Sequence, residues 1–211
     1  MRTISVINQK GGCGKTTVSI NLAGAFREMG KKVLLVDLDP QSHASIGFDI
    51  VSEELDYNTY DLLINPRVRV EDAAFSIDEK FAVVPSSAVL SAVEQELSGK
   101  PARETRLAAK LARVSNDYDY AIIDSPPNVG LLTFNALIAA SEVIIPLDPS
   151  FFSLQGLEKL RETLDLLEYE TKHKIIVHVL ATNVEKHTTF GRDIIYELEN
   201  QHGGVLMDTI I

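Results

Sequence analysis

The stretch QKGGCGKTT, residues 9–17, gathers three glycines, two lysines and two threonines directly behind the apolar run TISVIN at 3–8. So short a glycine-rich span makes a poor helix and a poor strand. As a turn that leaves a strand and opens a helix, it lets successive backbone N–H groups converge on an anion, while the helix N-terminus adds partial positive charge. Gly11, Gly12, Cys13 and Gly14 would form such a cradle. Lys15 can then reach the β- and γ-phosphates of a nucleoside triphosphate, the Thr16 hydroxyl can ligate Mg²⁺, and Thr17 can donate to the α-phosphate. Loop punctuation would explain the glycines, but not the order strand, glycines, GKTT, helix.

Two other strand ends carry carboxylates. KVLLVDLDPQ ends in Asp37 and Asp39, an i, i+2 pair that can project both acids toward a phosphate crevice. Phosphoryl transfer needs an oxygen acceptor to position the attacking water, because the rest of the catalysis is charge neutralisation. Turn-making ahead of Pro40 is the competing account of Asp39. DYAIIDSPPNVG closes an apolar run on Asp124, placed to hold Mg²⁺ through a bound water, and residues 125–130 follow as a loop able to respond to a γ-phosphate. Pro126 and Pro127 stiffen that loop by fixing φ and removing two N–H donors. Any parallel sheet can end a strand on aspartate, so the weight of Asp124 comes from the glycine turn.

The elements that must position these groups are legible as patterns. Apolar runs at 3–8, 32–37, 81–85, 120–124, 142–147 and 174–183 are continuous rather than alternating. Strands of that kind are covered on both faces, so the expected fold is α/β, a mostly parallel twisted sheet with helices on each side. Helices are predicted near 15–29, 87–98, 102–115, 131–140, 154–171 and 188–200, with Gly30 closing the first. Residues 46–79 are the least patterned and are expected to hold short helices over one edge. The length suits one domain, 1–211. GGVLMDTII reads as a last strand in need of a cover, so a C-terminal helical portion is expected outside this sequence.

Charge narrows the partners. Twenty Lys and Arg against 30 Asp and Glu leave a formal net charge of −10, which excludes a surface basic all over. One local exception is KPARETRLAAKLARV, where Arg103, Arg106, Lys110 and Arg113 fall within an arc of about 80° at 100° per residue. That arc is a candidate DNA face acting through phosphate contacts. Stems flanking the core stripe Leu107, Leu111 and Val114 explain it equally. Cys13, the single cysteine, makes no internal disulfide or multi-thiolate site, and no apolar run reaches the ~18 to 20 residues of a membrane span. A cytoplasmic location is expected, with nucleoid association if DNA is bound. The five histidines show no metal-ligand spacing.

KGGCGKTT is similar to the deviant Walker A sequence of the ParA/MinD superfamily of ATPases: Gln9 stands where the usual G-x4-G-K-[ST] pattern has its first glycine, and Lys10 follows. The resemblance spans essentially the whole chain, and PSSAVLSAVEQEL, DSPPNVGLLTFNAL and SLQGLEKL look most like the ParA/Soj partition branch. It implies a P-loop NTPase fold, ATP and Mg²⁺, and slow hydrolysis to ADP and phosphate. It implies that Lys10 crosses the interface of an ATP-bound homodimer to the other subunit's phosphates, that Lys15 serves its own nucleotide, that Asp39 orients the water, and that Asp37 lies near Mg²⁺. It also implies nonspecific DNA binding and a ParB-like or other adaptor protein that stimulates hydrolysis.

Such proteins often contact adenine from the strand end that here reads ATNVEKHTTFGRD, where Asn183 offers an amide to a base edge; capping a turn explains it as well. Residues 148–152, in PLDPSFFSLQGLEKL, either line the nucleotide or dimer crevice or form a plain proline turn. Ser42 and His43 replace the usual glycine-like DPQGN loop, and His187 stands where arginine is common. Three other readings share the turn. One is a MinD/FlhG-like positioning ATPase that cycles on the membrane. Another is a redox enzyme like nitrogenase iron protein, whose bridging cluster Cys13 alone does not supply. The third is an ATP-dependent biosynthetic ligase such as dethiobiotin synthetase, which lacks the Lys10 signature.

Overall fold

A computed structural model describes residues 1–148, 150–185 and 188–211, without the side chains of Phe151, Phe152, Thr189, Phe190 and Gln201. Eight strands form one sheet: β1 (Arg2–Val6), β2 (Val33–Asp37), β3 (Phe75–Asp78), β4 (Phe81–Val84), β5 (Tyr120–Asp124), β6 (Glu142–Leu147), β7 (Ile176–Ala181) and β8 (Leu206–Ile210). Their order is β3-β4-β2-β5-β1-β6-β7-β8, and every pairing is parallel except β3 with β4. Since β1 lies between β5 and β6 while its chain continues to β2, the connections diverge on either side of it. The carboxyl end of β1 is therefore the natural crevice of the sheet.

Helix α1 (Lys15–Glu28) packs Val18 and Ala23 on Ile4, Val6, Val33, Leu35 and Ile122, covering one face together with the chain near Ala44 and Ile50. The other face carries α3 (Thr59–Ile64), α5 (Val93–Glu96), α6 (Arg106–Leu111) and α7 (Leu131–Ala139) over Leu34, Val36, Ala121 and Ile123. Beside them α8 (Phe151–Thr171) and α9 (Thr189–His202) cover Val143, Ile145 and Val179. Both faces of β2, β5 and β6 are thus buried, the physical reason for their unbroken apolar sequences.

Two predicted helices are shorter than expected. The pattern at 87–98 becomes a 3₁₀ turn, Ala88–Ala92, followed by α5. The pattern at 102–115 becomes a 3₁₀ turn, Arg103–Thr105, then α6, then another 3₁₀ turn, Ala112–Val114. The region 46–79 does hold short helices, among them α3 and α4 (Val70–Ala73), but also the unpredicted strand β3.

On α9, His202 is buried, with Nδ1 2.9 Å from a guanidinium nitrogen of Arg161 on α8. Guanidinium only donates, so Nδ1 accepts and the neutral ring keeps its proton on Nε2, which has no partner among the described residues. Burial and then the Arg161 charge hold the pKa below 6.5, against a smaller opposing pull from Glu158. The folded state therefore binds fewer protons than the unfolded chain just below pH 6.5, and stability falls as pH falls through that window. Thermal melts from pH 7.5 to 5 should show a steeper loss for wild type than for His202→Gln; parallel curves would remove His202 as the cause.

Candidate phosphate-binding site

Residues 9–14 leave the end of β1 and open α1 through Gly12 at φ 75° and Gly14 at φ 90°. Both lie in the left-handed region that costs a side-chain-bearing residue about 1–2 kcal/mol, so backbone conformation favours glycine there. A Cβ built on Gly11, Gly12 or Gly14 meets no atom within 4 Å, so the turn borders open space. Cys13 faces inward, fully buried, with Sγ 3.2 Å from the Lys10 carbonyl; burial pushes its thiol up, leaving a neutral packing group. Lys15 is 7% exposed, and its Nζ donates to the Lys10 carbonyl at 3.1 Å. The ammonium thus lies folded over the turn it would serve.

Behind Lys15, Asp124 at the end of β5 is fully buried and accepts hydrogen bonds from Thr16 Oγ1 and Ser19 Oγ, each at 2.8 Å. Burial pushes the Asp124 carboxyl up to about 6 although both hydroxyls pull it down. Ser19 falls one turn after Lys15, hence on the same helix face, and was not singled out from the sequence. Removing one of two donors to a buried carboxylate costs about 1.5–3 kcal/mol. Ser19→Ala should therefore lower the melting temperature by roughly 3–12 °C; an unchanged melt would mean that Thr16 alone satisfies Asp124.

The two aspartates at the end of β2, Asp37 within it and Asp39 just beyond, have different partners. Asp37 is fully buried, its Oδ1 taking the Asp39 N–H at 3.1 Å and its Oδ2 taking the N–H and hydroxyl of Ser45 at 2.9 and 2.7 Å. Burial raises its carboxyl to about 7 against these donors. These donors let Asp37 shape the loop that carries Asp39, and β2 sets the residue in register with Asp124 on β5. Asp39 is 7% exposed; its Oδ1 accepts from Gln41 N at 3.0 Å, and the residue lines a cavity of about 310 Å³ shared with Pro126, Pro127 and Asn128. It does make the turn ahead of Pro40, and it also faces the loop after Asp124. Ser42 takes φ 56° before α2 (His43–Ile46), a left-handed geometry for which glycine is the easier residue.

The remaining candidates separate in the same way. The end of β7 is clipped to the glycine turn by Thr182 Oγ1, 2.9 Å from Cys13 O, and Asn183 beside it lies with Nδ2 3.5 Å from Gly12 O and φ at 57°. Among side-chain-bearing residues asparagine tolerates that φ best, so the turn-capping account of Asn183 holds locally while its amide stays beside the cradle. Thr17 is exposed at the start of α1. Lys10 reaches the end of β6, with Nζ on the Asp148 carboxylate, 3.2 Å from Ser150 Oγ and 3.4 Å from Ser153 Oγ. His187 lies outside the described residues.

The basic arc does not survive folding. Lys110 is 8% exposed, its ammonium donating to the carbonyls of Asn65, Pro66 and Val68. Arg106 donates to Leu63 O and Ile64 O at 2.9 and 3.2 Å, at the C-terminal end of α3, where unpaired carbonyls favour a cation. Arg103 pairs with Glu104 at 2.7 Å, and only Arg113 stands exposed. The expected DNA face of Arg103, Arg106, Lys110 and Arg113 is therefore corrected: two of its four cations serve as internal caps.

The cradle fits a polyphosphate, its glycines opening on free space above a helix N-terminus. The hard oxygens of Thr16 and Asp124 fit Mg²⁺, which keeps several waters and takes few protein ligands. Among the described residues no cluster of three or more His, Cys, Asp or Glu side chains is arranged to hold a metal by itself.

A parallel sheet with a glycine turn at β1, Lys15 over the turn and an aspartate ending the neighbouring strand defines a P-loop nucleotide-binding protein. A family model described as AAA domain matches residues 1–177. The chain is 36% identical to the sporulation initiation inhibitor protein Soj of Bacillus subtilis, over all of this chain and 83% of that protein. To the chromosome partitioning protein ParA of Myxococcus xanthus it is 34% identical, over all of this chain and 75% of that one. Among solved structures, a cobyrinic acid a,c-diamide synthase of Mycobacterium smegmatis with bound ADP and magnesium has a TM-score of 0.89 at 32% identity, covering 96% of this chain and 82% of that one. The chain belongs to the AAA domain family and, within it, to the ParA/Soj group of ParA/MinD-type P-loop ATPases.

Proposed function

We propose that this chain is an ATP-driven switch for DNA partition or intracellular cargo positioning, which binds Mg²⁺·ATP at residues 11–17, pairs with a second copy, and separates on hydrolysis. The observation that carries it is Lys10 beside a complete cradle, since a nucleotide held by Lys15 alone has no need of a second lysine. The backbone N–H groups of the turn bind and orient the triphosphate, and Lys15 offsets charge on the β- and γ-phosphates. Thr16 and Asp124 would hold Mg²⁺, and the ion would supply charge neutralisation at the transferring phosphate. Asp39 orients the attacking water, and residues 125–130 follow the γ-phosphate. Asn183 sits on the side where a base would lie.

The likeness to a cobyrinic acid a,c-diamide synthase favours a second reading, a biosynthetic ATP-dependent enzyme. Lys10 argues for the switch. No described helix is long and apolar enough to cross a membrane, and we place the protein in the cytoplasm. With Arg106 and Lys110 spent internally, any DNA contact belongs to another face, and a ParB-like or other adaptor would accelerate hydrolysis. Sedimentation velocity of wild type and Asp39→Ala with Mg²⁺·ATP, with and without nonspecific DNA, tests this. Dimers that co-sediment with DNA support partition, dimers that ignore it support cargo positioning, and a persistent monomer rejects the switch.

A further inference from the structure

Every polar group of Lys10 is engaged within its own chain. Its N–H donates to Asn8 Oδ1 at 3.0 Å, and Asn8 Nδ2 in turn donates to Pro146 O at 2.6 Å near the end of β6. Its carbonyl accepts from Lys15 Nζ. Its ammonium lies on Asp148 and within 3.2 and 3.4 Å of the Ser150 and Ser153 hydroxyls. Those three partners are themselves tied together: Ser153 Oγ donates to Asp148 Oδ1 at 2.7 Å, and the two serine hydroxyls are 2.7 Å apart. The start of α8 fixes them, for Ser150 caps that helix and accepts from Ser153 N at 3.3 Å. Burial pushes the Asp148 carboxyl up, yet the hydrogen bonds from Lys10 and Ser153 outweigh it and hold the group below the usual carboxylate range.

We infer that Asp148, braced by Ser153, is a positioning residue that holds Lys10 on its own subunit, so that leaving Asp148 is the step that sets how readily two copies pair. The inference rests on the proposed ATP-driven pairing. An ammonium bound to Asp148 is not available to a phosphate on another chain. Lys15 links the two events, because an ammonium that turns to a phosphate gives up the Lys10 carbonyl. With 41% of the Lys10 side chain and 21% of the Asp148 side chain exposed, the contact favours the held form by about fivefold, the scale of a partly exposed ion pair. A symmetric pair opens two such contacts, each leaving about one lysine in six free, so the apparent dimer dissociation constant rises about 36-fold.

The test is sedimentation equilibrium in saturating Mg²⁺·ATP for wild type, Asp148→Asn and Ser153→Ala, with thermal melts to confirm folding and a fluorescent ATP analogue to read nucleotide affinity alone. Asp148→Asn should pair about 36-fold more tightly, with Ser153→Ala in the same direction by a smaller factor, while affinity for the analogue stays within about twofold. A merely structural role would weaken pairing instead. Wild type that pairs, with both folded variants unchanged or weaker, overturns the holding role and leaves the switch intact. Should Asp148→Asn not fold, Ser153→Ala decides by the same direction. Wild type that binds the analogue but never pairs overturns both.

Discussion

Lys15→Ala is expected to lower ATP hydrolysis by at least about 10²- to 10³-fold and to weaken ATP binding as well. Removing one fixed donor from a site where charge develops has that scale of effect, and here the donor is a full positive charge, 7% exposed, folded over the glycine turn. The backbone N–H groups remain, so binding weakens rather than vanishes. Steady-state phosphate release and nucleotide titration of the variant measure both effects. Hydrolysis within a fewfold of wild type would mean that the turn holds something other than a triphosphate.

Asp39→Asn should separate binding from chemistry. Asparagine keeps an Oδ1 that can accept from Gln41 N, so the turn into residues 40–45 survives, but it lacks the anionic oxygen that orients or activates a water. Loss of a positioned acceptor of this kind costs about 10²- to 10⁴-fold, while ATP affinity and ATP-driven pairing persist. Single-turnover hydrolysis alongside equilibrium binding reads this out. If Asp39→Asn hydrolyses like wild type, the residue is a turn-maker and the acceptor lies elsewhere. Asp37→Asn behaves differently, since the acid holds the loop through Ser45 and the Asp39 N–H: it should lower stability as well as activity.

What the residues disclosed in advance follows from how locally each feature is determined. The glycine turn was legible because its backbone geometry depends on neighbours within a few positions, and Gly12 and Gly14 take the left-handed angles such a turn demands. The central strands were legible because burial on both faces leaves no polar alternation. Strand β3 was not: FSID sits at the sheet edge, largely exposed, and its apolar-polar alternation at Phe75 and Ile77 is too short to stand out beside the continuous runs of the central strands. The helix at 102–115 was read as one piece since its periodicity is real, but Ala102 takes φ 53° and 3₁₀ turns flank the central six residues.

A helical wheel could place Arg106 and Lys110 on one side. It could not reveal that the carbonyls at the end of α3 and in the turn after it, more than 40 residues earlier, face that side. The i, i+2 rule put Asp37 and Asp39 at one strand end, where Asp37 stands in register with Asp124, but it could not show that Asp37 also holds the following loop through Ser45. Asp148 under Lys10 joins residues 138 apart, a contact that only the sheet order creates.

The most direct test of the central claim is a calorimetric titration of the wild-type chain with ATP in Mg²⁺, repeated without the metal. The account predicts one site per chain, weakened when Mg²⁺ is withheld, with a melting temperature that rises with ATP concentration as expected for a ligand bound only by the folded state. No heat of binding and no shift in melting at millimolar ATP would contradict it.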